Sequence, residues 1–407
     1  VTSTVRARGS AAETDAAGWA DIQGQSGAMT EPTSLTSALQ KLLQRAIQAG
    51  SGWIGFDRFM ALALYAPGLG YYANSGAKFG TMPEGVKGEG SDFVTAPELS
   101  PLFGQALAAQ VGEALAATGT DEVWEFGAGS GALAQQLLET LGEPVRRYTI
   151  VDLSGTLRTR QQARLAAFGD KVRWVHELPE AMQGVVVGNE VLDAMPVKLL
   201  LRQGGQAGGV WFERGVALHG DALAWADRPT DLRPPIEVEG PQDYLSEIHP
   251  QAEAFIATLA DRFRASLQSG GQGGAAFFLD YGFPESEYYH PQRHMGTVMC
   301  HRAHQADTNP LADVGLKDIT AHVNFTGVAL AGQDNGLNVL GYTSQTRFLL
   351  NCGLASVMES ATLAQRAYAM KLIAEHEMGE LFKVIGFCTG EPWDALGFTH
   401  GDRTHAL

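Results

Sequence analysis

The chain has 407 residues, 45% of them hydrophobic, with 18 phenylalanines and a formal charge of −16. That length and apolar content suffice for one large or two smaller packed domains, which excludes global disorder. The charge disfavours non-specific attraction to nucleic acid or to an anionic membrane, so small-molecule or protein partners are expected and no direct nucleic-acid partner.

Residues 1–33, rich in Ala, Ser, Thr and Gly with scattered acids, read as a flexible tail; without an arginine-rich presequence pattern they point to a cytoplasmic setting. Residues 34–120 read as an N-terminal helical and lid region. Ser34 is the expected N-cap of a first helix, stopped by Gly50 and Gly52, and a second helix is expected over 56–64. The run Tyr65-Ala-Pro-Gly-Leu-Gly-Tyr-Tyr72 predicts a tight aromatic turn, and 73–90 a loop. The segment 91–101 is polar and proline-containing, suited to a ligand wall, with Ser100 capping and Pro101 opening a helix to about residue 117.

From 121 onward the pattern alternates. Strands are expected over 123–126, 148–151, 172–175, 185–187 and 275–279, with helices starting near Gly131, Leu157 and Pro250. Short strands apolar on both faces, separated by helices, predict an α/β fold with a mainly parallel sheet covered on both sides. Residues 121–407 are thus expected to form one cofactor-binding domain carrying insertions at 199–249, read as irregular with strands around Gly209 to Phe212, and at 282–325. Further strands are expected over 337–342 and 381–387.

The three cysteines, Cys300, Cys352 and Cys388, form no C-x-x-C pair, which speaks against a disulfide framework or a cysteine-based zinc site. No 18-residue apolar run is present, so no membrane insertion is expected. His290, His294, Cys300, His301 and His304 cluster in sequence, but Pro291 and Gly296 break the local pattern and no metal is expected.

The first strand runs directly into Gly127, Gly129 and Gly131 and then into a helix. Glycine permits a sharp turn and close backbone approach by a ligand, while the helix start offers unpaired N–H groups. The loop also fits G-x-G-x-x-A, a pattern shared with dinucleotide-binding folds. Asp152, 21 positions after Gly131, can accept from the ribose hydroxyls of either an adenosyl group or NAD. Glu125 suits a cationic cofactor better than a pyrophosphate. The cluster Asn189-Glu-Val-Leu-Asp-Ala-Met-Pro196 lies beside the expected crevice. An NAD-dependent oxidoreductase and a non-catalytic assembly protein that retains the fold are the competing readings.

Seven stretches carry a family resemblance: Gly70-Tyr-Tyr72, Asp92-Phe-Val-Thr-Ala-Pro-Glu98, Glu125-Phe-Gly-Ala-Gly-Ser-Gly131, the Asn189 cluster, Leu279-Asp-Tyr-Gly282, Asp318-Ile-Thr-Ala-His-Val-Asn-Phe325 and Met378-Gly-Glu-Leu-Phe-Lys383. In this order the chain resembles the MidA-like (DUF185) class I methyltransferases, related to a mitochondrial complex I assembly factor that methylates arginine. The resemblance implies a Rossmann-like core, S-adenosyl-L-methionine as cofactor, and a protein substrate, with a respiratory-complex subunit among the candidates. It implies cofactor contacts from Gly127, Gly129, Gly131 and Asp152, and pocket positions for Asp92, Thr95, Asn189 and Glu190. Ala128 and Ser130 stand where many relatives have Pro and Arg, and Asp152 where Glu is common.

A guanidinium acceptor stays protonated and planar, so carboxylates are needed to hold it and to draw charge away from the reacting nitrogen. Glu190 and Asp193, three apart beyond a strand end, are the candidates, with Asn189 beside them. Tyr281, His322 and Asn324 are expected to line the acceptor pocket. Asp280 borders it or holds backbone N–H groups.

Overall fold

The computed structural model describes residues 32–74, 95–152, 155–204, 210–302 and 305–407. The chain opens with α1 (Pro32–Ala49), β1 (Trp53–Gly55), α2 (Phe56–Tyr65), α3 (Ala96–Leu99) and α4 (Pro101–Thr118). Alternation follows: β2 (Glu122–Phe126), α5 (Ala132–Leu141), β3 (Arg147–Val151), α6 (Gly155–Arg164), β4 (Val172–Val175) and β5 (Gly184–Asn189). Next come β6 (Lys198–Gln203), β7 (Val210–His219), β8 (Ala222–Pro229), β9 (Tyr244–Ile248), α7 (Pro250–Gln268), β10 (Gly274–Phe283) and α8 (Glu285–Tyr288). The remainder comprises β11 (Met299–Arg302), β12 (Gln305–Asp307), β13 (Asp318–Thr320), β14 (Val323–Asn324), α9 (Phe325–Asp334), β15 (Asn338–Ser344), α10 (Gln345–Asn351), α11 (Leu354–Ser360), α12 (Leu363–Ile373) and β16 (Phe382–Cys388).

The main sheet runs β15-β16-β10-β5-β2-β3-β4, with β14 added beside β10. Its members β10, β5, β2, β3 and β4 are mutually parallel, while β16 is antiparallel to both β10 and β15. Every residue of β2 and β5 is buried, as a sheet covered on both faces requires. One face packs on α4, α5, α10 and α12 through Leu107, Val111, Leu137, Phe348 and Leu372. The other packs on α7 and α9 through Ile256, Phe263 and Val328. Each such side chain contributes about 1.5–3 kcal/mol on burial. The α4 start follows the sequence expectation, since the Ser100 hydroxyl accepts from Leu102 N–H at 3.3 Å and Pro101 occupies the first turn.

Two expectations need correction. α1 begins at Pro32, two residues ahead of Ser34, so Ser34 lies inside the helix rather than at its cap. The region 199–249 is not irregular: β6, β7, β8 and β9 form an antiparallel sheet that takes β1 as its further strand, in the order β1-β7-β6-β9 with β8 on β7. Glu213, Arg214, Asp227 and Arg228 interrupt its apolar pattern, and its outer partner lies far away in sequence. Its apolar side packs on α1 and α2 through Leu199, Val216, Leu43 and Phe59. Within 282–325, β12-β11-β13 form a small antiparallel sheet. Residues 1–31, Asp92, His304 and most of the expected 73–90 loop lie outside the described residues. Among the described residues, no helix is long and apolar enough to cross a membrane.

Candidate active site

The carboxyl ends of β2, β3, β5 and β10 gather on one edge of the sheet. β2 sits between β3 and β5, and the chain order reverses across it, which opens a ligand crevice outside these strand ends. After β2, Gly127, Gly129 and Gly131 take φ values of 64°, 53° and 83°. A side chain at any of them would be strained, and a Cβ on Gly127 would stand 3.0 Å from Val191 Cγ2. Gly131 leads straight into α5, whose first N–H groups face the loop.

Gln161 of α6 ties this loop to Asp152. Its Nε2 donates to Gly129 O at 2.9 Å and to Asp152 Oδ2 at 2.7 Å, and its Oε1 accepts from Trp174 Nε1 at 2.9 Å. The residue is fully buried, and no motif in the sequence marks it. Ser130 bonds to Glu98 and Arg164, and Arg164 pairs with Glu98 at 3.1 Å, so α3 is fastened to the glycine loop.

Glu125 lies beneath the loop, buried, with Oε2 accepting from Tyr148 O–H at 2.7 Å. Burial, aided by the Asp152 charge and opposed by Tyr148, pushes its carboxyl up to about 8 from an ordinary 4.5. The folded protein therefore binds more protons than the unfolded chain between these values, so this group makes stability fall as pH rises from about 4.5 to about 8. Glu125→Gln removes the ionisable group, and its melting temperature is expected to decline less over that window. An unchanged slope in calorimetric melts of the variant would count against the assignment.

Beyond β5, Asn189 Nδ2 donates to Glu190 Oε1 at 3.0 Å, while Asn189 Oδ1 is buried without a partner. Glu190 has φ 53°, one of three non-glycine residues on the positive side among the described residues, a conformation costing about 1–2 kcal/mol. Its carboxylate accepts from Ala96 N–H at the start of α3. Burial first, then the Asp193 charge, pushes Glu190 up to about 8. Asp193 is buried too, pushed up to about 6 by burial against the Tyr281 hydrogen bond, and its Oδ1 has no partner.

Asp280 fixes this turn. Its Oδ2 accepts from the N–H groups of Val191, Leu192 and Asp193 at 3.1, 2.9 and 3.2 Å, and its Oδ1 from Tyr281 N–H at 2.9 Å. Of its two expected roles, the structure displays the backbone one. Tyr281 stands at the end of the same strand against the His322 ring, centroids 5.1 Å apart. His322 is held neutral, pushed down to about 4 by burial and then by Arg293 and Lys383. Asn324 sits further off on β14, where its Oδ1 caps α9 by accepting from Gly327 N–H at 3.2 Å. Thr95 begins α3 and holds Leu99 N–H through its carbonyl at 2.9 Å. Cys300 and His301 lie on β11, and among the described residues no group of three or more His, Cys, Asp or Glu could hold a metal ion.

A family model described as "Putative S-adenosyl-L-methionine-dependent methyltransferase" matches residues 106–343. A crystal structure of a Burkholderia thailandensis protein bound to S-adenosyl-homocysteine is 45% identical, covers 94% of this chain and 100% of its own, and superposes with a TM-score of 0.83. The mitochondrial protein arginine methyltransferase NDUFAF7 homolog of Caenorhabditis elegans is 26% identical over 353 residues, 78% of this chain and 77% of its own. Its human counterpart is 25% identical over 379 residues, 83% and 78%. These relatives resolve the ambiguity of the glycine loop in favour of S-adenosyl-L-methionine over a dinucleotide. They also overturn the cytoplasmic setting expected from residues 1–33, because the curated relatives are named mitochondrial; composition at a chain's start reads compartment poorly. With its family model spanning more than half its length and a 45% identical relative spanning nearly all of it, the chain belongs to the S-adenosyl-L-methionine-dependent methyltransferases.

Proposed function

We propose that the protein methylates arginine side chains of a protein substrate, and that residues 121–407, fronted by 34–120, form the methyltransferase unit. The observation that carries this reading is the pair of carboxyl groups, Glu190 and Asp193, set at the crevice edge with Asp193 Oδ1 and the neighbouring Asn189 Oδ1 buried and unpartnered. The names of the curated relatives support it.

The donor crevice suits an adenosyl cofactor: three glycines at positive φ allow close backbone approach, and Asp152 follows β3 where ribose hydroxyls are met. Gly127, Gly129, Gly131 and Asp152 would hold the cofactor, with Glu125 supporting the loop from below, Asn189 on the β5 side and Thr95 on the outer wall; Asp92 is proposed as a further contact on the family resemblance alone. When bound, S-adenosyl-L-methionine supplies a methyl group activated by its sulfonium.

Glu190 and Asp193 orient the guanidinium and draw its charge away from the reacting nitrogen. That nitrogen loses one proton as it gains a methyl. Glu190, ionised beside the bound guanidinium whose charge favours the carboxylate form, accepts it and passes it to water. Tyr281 positions Asp193, while neutral His322 and, more remotely, Asn324 complete the polar wall. Respiratory-complex subunits are the first acceptors to test.

The test is incubation with labelled cofactor and arginine-bearing subunits, followed by peptide mapping. Methyl increments on arginine are expected. Incorporation on lysine, or none at saturating cofactor, would overturn the reading.

A further inference from the structure

Asp318, at the start of β13, lies within electrostatic reach of Glu190, and Tyr65 and Tyr72 feel both it and Asp193, although it comes from a different part of the chain. With Asp280, which feels the charges of Asp193 and Glu190, four carboxyl groups share this region. Lys317, next to Asp318 in the chain, holds Asp307 at 2.9 Å and Asn309 O at 2.6 Å, and Lys383, opposite Asp280 in the strand register, bonds to the carbonyls of Glu380 and Leu381. Burial pushes both the Glu190 and Asp193 carboxyls up, and for Glu190 the charges of Asp193 and Asp318 add to it.

A second observation points to an occupant. Asp193 Oδ1 and Asn189 Oδ1 are acceptors with no partner, in residues more than nine-tenths buried. Unpaired buried acceptors are costly and call for a donor.

The third is aromatic. The rings of Tyr65 and Tyr72 stack with centroids 5.5 Å apart and stay partly exposed. Tyr72 O–H reaches both oxygens of Asp318 at 2.8 Å, and Tyr65 O–H donates to Ala194 O at 2.8 Å, next to Asp193. Asp318 Oδ1 also accepts from Ile319 N–H at 2.9 Å, which fixes the carboxylate in place. Both tyrosines feel the charges of Asp318 and Asp193, which places these rings beside the carboxyl cluster.

We propose that Asp318, held by Tyr72, and the Tyr65–Tyr72 stack complete the acceptor site, seating the substrate's cationic group between Asp193 and Asp318 and against the tyrosine rings. The identity of that cation rests on the arginine reading above; the seat itself does not. A planar guanidinium fits best, because it offers five donors to the carboxylates and a face to the aromatic rings. A neutral side chain would leave the carboxylates uncompensated and is rejected.

Calorimetry on protein saturated with S-adenosyl-homocysteine tests this, with N-acetyl-arginine amide as the probe and the lysine and citrulline analogues beside it. Asp318→Asn is expected to weaken the arginine probe at least about ten-fold, with S-adenosyl-homocysteine affinity unchanged. Neutral citrulline should bind the wild type at least about ten-fold more weakly than arginine. Tyr72→Phe, which keeps the ring and removes the hydroxyl, should lose roughly three-fold, and it serves if the Asp318 variant does not fold. Equal probe binding by wild type and Asp318→Asn, or equal binding of citrulline and arginine, overturns the seat while leaving the arginine reading intact. If the wild type takes the lysine probe instead and Asp318→Asn weakens it, the seat stands and the arginine reading falls.

Discussion

Gly129→Val is expected to lower S-adenosyl-homocysteine affinity by about a hundred-fold or more, roughly 2.7 kcal/mol. Gly129 has φ 53°, a conformation that a β-branched residue adopts only at a cost. Its carbonyl accepts from Gln161 Nε2, so a shift there would also loosen the hold on Asp152. Gly119→Ala provides the control. That glycine closes α4 at φ 64° with open space around it, so its replacement carries the backbone strain without the crevice. The control should melt earlier than wild type and bind S-adenosyl-homocysteine normally. Wild-type affinity in the Gly129 variant would place the cofactor elsewhere.

Glu190→Gln is expected to reduce methyl transfer by about 10²- to 10³-fold while S-adenosyl-homocysteine affinity stays within about three-fold. Glutamine keeps the size and the contact with Asn189, but it gives the acceptor no charge and takes no proton. The same change should stabilise the fold above pH about 8, where wild type must carry a buried charge. Rate assays with an arginine peptide and melts across pH separate the two effects. A variant that turns over normally would remove Glu190 from the reaction, and one with weakened cofactor binding would move it to the donor side.

Much of the sheet was readable because its logic is local. β2 stops at a glycine run that opens a helix, and β3, β4, β5 and β10 are short strands with apolar residues on both faces. Asp152 and Glu190 stand just past a strand end and Asn189 closes its strand, positions that could be read from the order of strands alone. What could not be read depends on contacts made across the chain. β6 to β9 carry mixed charged and apolar residues, and the edge they need is supplied by β1. Gln161 and Asp280 look like ordinary polar residues until the fold brings Gly129 and the 191–193 N–H groups to them. Glu190's positive φ leaves no trace in composition. Tyr72 and Asp318 lie in two separate motif stretches, and nothing in either one names the other as its partner.

The pairing of β1 with β7 also governs the order in which the molecule can be completed. Trp53 and Ile54 need Ala217 and Val216 opposite them, so the second element made must wait for the seventh strand. At roughly 5–20 residues per second of synthesis, that delay is on the order of ten to thirty seconds. During it, the aromatic turn from Tyr65 to Tyr72 has no Asp318 to meet, and the apolar face of α1 and α2 lacks the sheet that covers it. The nascent N-terminal region is thus expected to keep that apolar surface exposed until β7 is made. Ribosome-bound chains halted before residue 217 should expose Phe59 and Leu43, and longer ones should bury them.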